Sequence, residues 1–190
     1  MTQMLSGRRV AFLVAPEGIE QVELTEPWKA VKDAGAQPEL VSTKAGDVQA
    51  FDHLDKADTF LVDRVVDEAS AGDYDALVLP GGVANPDALR MVLEAVRFAK
   101  SFFTQGKLVA AICHAPWTLI EADVVRGRRM TSWPSLQTDL RNAGAQWVDE
   151  QLVLDQNLIT SRKPDDLPVF CSALVEQLSA AKPREQARTA

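Results

Sequence analysis

LVAAICHAPW, residues 108–117, is the stretch on which the reading of the fold turns. Leu108–Ile112 is short and uniformly apolar, the pattern of a strand buried on both faces. Cys113 and His114 follow without a spacer. Pro116 then suits a first helical turn, where its missing N–H has no intrahelical partner anyway. A buried strand, a one-step turn and a helix make up a nucleophile elbow, which holds a reactive side chain on a tight and often strained turn.

The same alternation extends outward. Upstream, a helix is predicted over 87–105, with Ala88, Met91, Val92, Ala95, Val96, Ala99 and Phe102 on one side and Gly106 as its stop. Before it, Ala76–Leu79 reads as a strand ended by Pro80-Gly81-Gly82. Nearer the N-terminus, Arg9–Val14 is a strand broken at Pro16-Glu17-Gly18. A helix over Val22–Ala34 ends at Gly35, and a strand spans Glu39–Ser42, so the three form a βαβ unit. Residues 45–67 suggest small antiparallel strands or a hairpin. Downstream come Met130–Trp133, a helix over Ser135–Ala143, strand-like pieces at Trp147–Leu154 and Leu158–Thr160, and a helix over Asp166–Ala180. Alternating β and α with apolar strands predicts one α/β domain over 1–190 with a mostly parallel sheet covered on both faces. Its ordered core is expected over about 8–180, and the polar tail, 182–190, is expected to be disordered. In such a sheet functional loops lie beyond the carboxyl ends of the strands, so 15–23, 80–86 and 113–117 should converge.

Composition narrows the function. The 190 residues are 46% hydrophobic and 25% charged, ordinary for a globular domain with a real core. A net charge of −7 argues against a nucleic-acid binder, because phosphate contacts need concentrated Lys and Arg. Arg126, Arg128 and Arg129 form the one basic cluster and read as a solvated turn. No window reaches a membrane span or a signal peptide, so a cytoplasmic protein with no membrane partner is expected. Cys113 and Cys171 show no metal spacing, and neither a metal nor a cofactor is expected.

Cys113 is the candidate nucleophile. A helix start behind it should lower its thiol pKa, and following backbone N–H groups could hold an oxyanion. The alternative is an inert core cysteine, since the position ends an apolar strand. Cys171, inside a helix without an elbow, reads as packing. His114 could serve as base or acid, or simply fill the turn; His53 reads as a surface residue. Glu17, Glu20, Glu23 and Glu26 suit a helix start electrostatically, but one of them, Glu20 or Glu23, could tune the thiol. Gly81 and Gly82 allow close backbone approach, either as a tight turn or as an oxyanion donor.

At these residues the sequence resembles the ThiJ/PfpI superfamily, in its PfpI-like branch of intracellular proteases and general stress proteins. The resemblance is carried by GIEQVEL (18–24), DALVLPGG (75–82), GKLVAAICHAPW (106–117), RGRRMTSWPS (126–135), NAGAQWVDEQLVLDQNLITSR (142–162) and PDDLP (164–168). It implies a flavodoxin-like three-layer α/β/α sandwich related to class I glutamine amidotransferases. It also implies Cys113 as the elbow cysteine, His114 beside it, Glu23 as the glutamate that touches it, and Gly82 near the oxyanion site. In PfpI-like proteases an acid from the adjacent subunit orients the histidine. Asp87 is the best match, with one extra residue in the loop and Asp in place of Glu. Ala115 replaces the common glycine. The activities implied are those of glyoxalases, deglycases and cysteine peptidases, on small carbonyl, peptide or protein substrates. Self-association as a homodimer or hexamer is implied too. The alternative is a redox or stress sensor, or a chaperone-like stress protein, using an oxidisable Cys113.

Overall fold

In Arg9–Val14 alternate side chains part to opposite faces: Val10, Phe12 and Val14 enter one apolar cluster, Ala11 and Leu13 another. Ala76–Leu79 and Leu108–Ile112 do the same. Strands with two buried faces need helices on both sides, and this decides the architecture.

The computed structural model describes residues 4–182. Along it run β1 (Arg9–Val14), β2 (Glu17–Glu20), α1 (Gln21–Asp33), β3 (Gln37–Ser42), β4 (Asp47–Asp52), β5 (Asp55–Leu61), β6 (Arg64–Val65), β7 (Ala76–Leu79), α2 (Ala84–Leu89) and α3 (Leu93–Thr104). Then follow β8 (Leu108–Ile112), α4 (Pro116–Glu121), β9 (Arg129–Met130), α5 (Gln137–Asn142), β10 (Gln146–Trp147), β11 (Val153–Asp155), β12 (Leu158–Ser161) and α6 (Leu167–Ala180). The central sheet has seven strands in the order β11-β12-β8-β7-β1-β3-β6. Its pairs are parallel except β11 with β12. Leu24 and Val31 of α1 and Phe170, Leu174 and Leu178 of α6 cover one face; Ala95, Phe98 and Phe102 of α3, Leu119 of α4 and Leu140 of α5 cover the other. No helix among the described residues is long and apolar enough to cross a membrane.

Most expected elements are present, and β4 with β5 is the hairpin anticipated over 45–67. Three readings are corrected. The helix expected over 87–105 is two helices, because Val92 is extended (φ −108°, ψ 108°); this turns Leu89 into the core and leaves Met91 exposed. The strand expected over 147–154 is interrupted, because Asp149 and Glu150 turn out to pair with Arg162 and Arg129. The broken loop at 15–23 contains a strand, β2, which pairs with β4 in a second small sheet. The tail expected to be disordered lies, apart from Lys182, outside the described residues.

Candidate active site

The three loops meet where β1, β7 and β8 end. Cys113, one residue past β8, has φ 62°, the left-handed region that a non-glycine residue enters at a cost of about 1 kcal/mol or more. Neighbouring strands and loops hold it there. The Cys113 N–H donates to the Ser161 carbonyl (3.1 Å), and its carbonyl accepts from the Trp133 N–H (2.9 Å). The Ala115 N–H closes the turn onto the Ile112 carbonyl (3.1 Å). The elbow expected from sequence is present, with its strain on the cysteine.

Glu23 lies in the first turn of α1 and is completely buried. One carboxyl oxygen accepts the Gly81 N–H at 2.9 Å; the other has no nitrogen or oxygen partner, and the carboxyl contacts the Cys113 side chain. Gly81 is there because a Cβ would come within 2.5 Å of Glu23 Oε2 and 2.6 Å of Cys113 Cβ. Burial without a cation pushes the Glu23 carboxyl up to about 8, so it carries a proton at neutral pH.

The thiol departs from expectation. Cys113 is 6% exposed, and burial pushes its pKa up. The helix behind it, α4, has only six residues and begins three positions later, so it has little field to offer. What favours a thiolate is local: the backbone N–H groups of Gly82 and His114 both point at the sulfur and pull its pKa down. A protonated Glu23 also removes the like charge that would otherwise oppose ionisation.

His114 is buried, and burial pushes its imidazole down to about 4, so the ring is neutral at pH 7. Its Nδ1 lies 3.1 Å from Cys113 Sγ, and its Nε2 lies 3.4 Å from Ser135 Oγ. The ring stacks on Trp133 (centroids 5.7 Å, 22°) and packs against Trp117 (5.3 Å, 56°). The turn thus lets adjacent residues 113 and 114 face each other, which an extended strand would forbid.

A cavity of about 190 Å³ opens over this group, with Val83, Trp133 and Pro164 on its apolar walls and Glu20 and His53 at its edge. His53 has an exposed ring, as expected, but its backbone is in the left-handed region and its N–H donates to Glu20 (3.1 Å). Glu20, Asp52 and His53 each bring a ligand atom within 4.8 Å of the others; among the described residues this group alone has the spacing to hold a metal ion. Asp87 is exposed on α2 and does not line the cavity. Cys171 is half-buried in α6, and its thiol is pushed up to about 12 by burial.

Sequence reasoning missed Asn85. Completely buried, it accepts the Ala15 N–H (2.7 Å) and donates to the carbonyls of Pro80 (2.9 Å) and Gly81 (3.1 Å), clamping two of the three loops together. An Asn just after a Gly-Gly turn was the available hint. Trp133 and Ser135 were also missed as neighbours of His114, since no periodicity links positions about twenty residues apart.

Fold and site together define a parallel α/β protein with a strained cysteine elbow, a buried protonated carboxyl and a neutral histidine. The chain belongs to the DJ-1/PfpI family, whose profile matches residues 8–177. It is 41% identical over 170 residues to a deglycase of Pyrococcus abyssi, covering 90% of this chain and 99% of that one. It is 38% identical to protein/nucleic acid deglycase 2 of Escherichia coli, covering 91% and 99%. Among solved structures it resembles a two-domain protein of Anabaena variabilis with DJ-1/ThiJ/PfpI-like and ferritin-like domains (TM-score 0.86, 37% identity). That match covers 96% of this chain and 52% of the other.

Proposed function

We propose that this protein is a cysteine-dependent enzyme of the deglycase type, acting on the adducts that glyoxal or methylglyoxal forms with protein nucleophiles. The observation that carries the reading is one juxtaposition: Cys113 Sγ beside His114 Nδ1, two backbone N–H groups and the protonated Glu23. The deglycase names of its relatives support the choice of substrate.

The chemistry follows from these positions. The adduct first reverts to its aldehyde, as the C–N or C–S bond to the protein nucleophile breaks, the adduct hydroxyl gives up its proton and the amine or thiol leaves carrying one. His114 Nδ1 takes the Cys113 thiol proton, and the thiolate adds to the aldehyde carbon. The carbonyl electron pair moves to oxygen, which takes the Glu23 proton. The Glu23 carboxylate then takes the proton from that carbon, giving an enediol, and returns it to the neighbouring carbon while the hydroxyl proton of the first oxygen passes to the second, which turns the thiohemiacetal into a thioester. Water cleaves the thioester, releasing a hydroxy acid and restoring the thiol. The Gly82 and His114 N–H groups stabilise negative charge on sulfur and on the adjacent oxygen. The 190 Å³ cavity fits a three-carbon dicarbonyl and leaves a bulky partner outside. We place the activity in the cytoplasm, where an unpaired thiol stays reduced.

The test is Cys113→Ser. Turnover of methylglyoxal, followed by lactate release, should fall at least about a thousandfold. A variant that keeps its rate would show that the sulfur is not the nucleophile.

A further inference from the structure

His114 faces a difficulty that its neighbours do not resolve. It must accept a proton at Nδ1, yet it is 7% exposed and wedged between two tryptophans. Burial disfavours the imidazolium, as its depressed pKa reflects. A neutral ring can take a proton at one nitrogen without becoming charged only by releasing one from the other.

At that other nitrogen stands Ser135 Oγ, 3.4 Å from Nε2. Ser135 is exposed, on the short turn Pro134–Leu136, so its hydroxyl meets the buried ring on one side and solvent on the other. The turn is tied to the elbow: the Trp133 N–H donates to the Cys113 carbonyl, and the Leu136 N–H donates to the Trp133 carbonyl (3.1 Å). A hydroxyl both donates and accepts, so it satisfies either tautomer of the ring; a carboxylate only accepts.

We propose that Ser135 is the positioning residue of His114 and its proton relay to solvent. As the S–H bond of Cys113 breaks and Nδ1–H forms, Nε2–H passes its proton to Ser135 Oγ, which gives its own proton to water. The ring stays neutral and ends in the opposite tautomer, and the thiol proton has in effect left for solvent. The return path reprotonates sulfur when the thioester is cleaved. This rests on the reading of His114 as the base for Cys113, and it places the orienting group within one chain, independent of Asp87.

The chain has two histidines, so ¹⁵N-histidine labelling gives an easily assigned spectrum. In Ser135→Ala the His114 ¹⁵N shifts should move, reporting a changed tautomer balance. Alkylation of Cys113 by iodoacetamide and kcat for methylglyoxal should each fall about tenfold, with KM unchanged. Ser135→Thr should restore all three. The proposal is overturned if Ser135→Ala leaves the shifts and the alkylation rate as they were, if threonine fails to restore them, or if Asp87→Asn moves them instead. A wild-type protein inert to methylglyoxal would sink the deglycase reading alone, since the shifts and the alkylation rate still decide on Ser135.

Discussion

Two buried carboxyl groups sit at opposite ends of the same central strands and are treated in opposite ways. Asp75, at the amino end, faces Arg8 Nη1 at 3.1 Å and the Arg9 N–H at 2.8 Å; the Asp75 and Arg8 side chains are 1% and 9% exposed. Glu23, at the carboxyl end, has one backbone N–H and, among the described residues, no cation, and lies against a thiol. A structural carboxylate is supplied with a counter-charge because a lone buried charge is costly. At Glu23 the cost is avoided by protonation, which leaves a proton available beside Cys113. Cys113, with its left-handed backbone (φ 62°), stands beside Glu23 at the carboxyl end.

The largest effect should come from breaking the paired end. Asp75→Ala leaves the Arg8 guanidinium buried without this partner, and should cost about 3–5 kcal/mol in urea unfolding. The methylglyoxal rate of the molecules that remain folded should not change. A loss below about 1 kcal/mol would mean that the pair does not hold the amino end.

Next is the pH dependence of the unpaired end. The Glu23 pKa is about 8 in the folded protein against an ordinary 4.5, so the folded state binds the extra proton between those values. Its contribution to stability is therefore fully present below about 4.5 and is lost as pH rises through 8. Glu23→Gln cannot ionise and should remove this slope. Relative to wild type it should gain about 2 kcal/mol between pH 5 and pH 7, read as the difference between the two unfolding curves. It should also lose turnover, since the amide cannot supply the proton. Parallel curves would mean that Glu23 is ionised in the folded state.

The sequence disclosed one half of this contrast better than the other. Apolar runs located β1, β7 and β8 because strands buried on both faces need no alternation, and the abrupt Ile112-Cys113-His114 junction located the elbow. By position alone Glu23 is one of four glutamates around a helix start and shares with Glu20 the reading of a carboxyl that tunes the thiol; only the family resemblance singles it out. Its distinction, burial beside sulfur without a cation, depends on the separate β7 and β8 loops closing over it. Asn85, Ser135 and the extended Val92 are likewise defined by partners distant in the chain or by tertiary packing. The thiol was misjudged for the same reason: a helix start could be read locally, but its six-residue length and the enclosure of Cys113 could not.

The smallest effect should come from the second thiol, where the contrast can be made with one element. Burial pushes both Cys113 and Cys171 up, so desolvation does not distinguish them. Their neighbours do. Cys171 has Glu26 nearby, whose negative charge further opposes a thiolate, and its backbone is ordinary helix. Cys113 has two N–H groups, a neutral imidazole to take its proton and a carboxyl that arrives already protonated. Cys171→Ala should therefore cost about 1 kcal/mol or less, as truncation of a half-buried side chain does. Iodoacetamide labelling and methylglyoxal turnover should remain at wild-type rates. If both fell as they do in Cys113→Ser, burial in a folded chain would be enough to make a cysteine matter, and the constellation around Cys113 would explain nothing that Cys171 lacks.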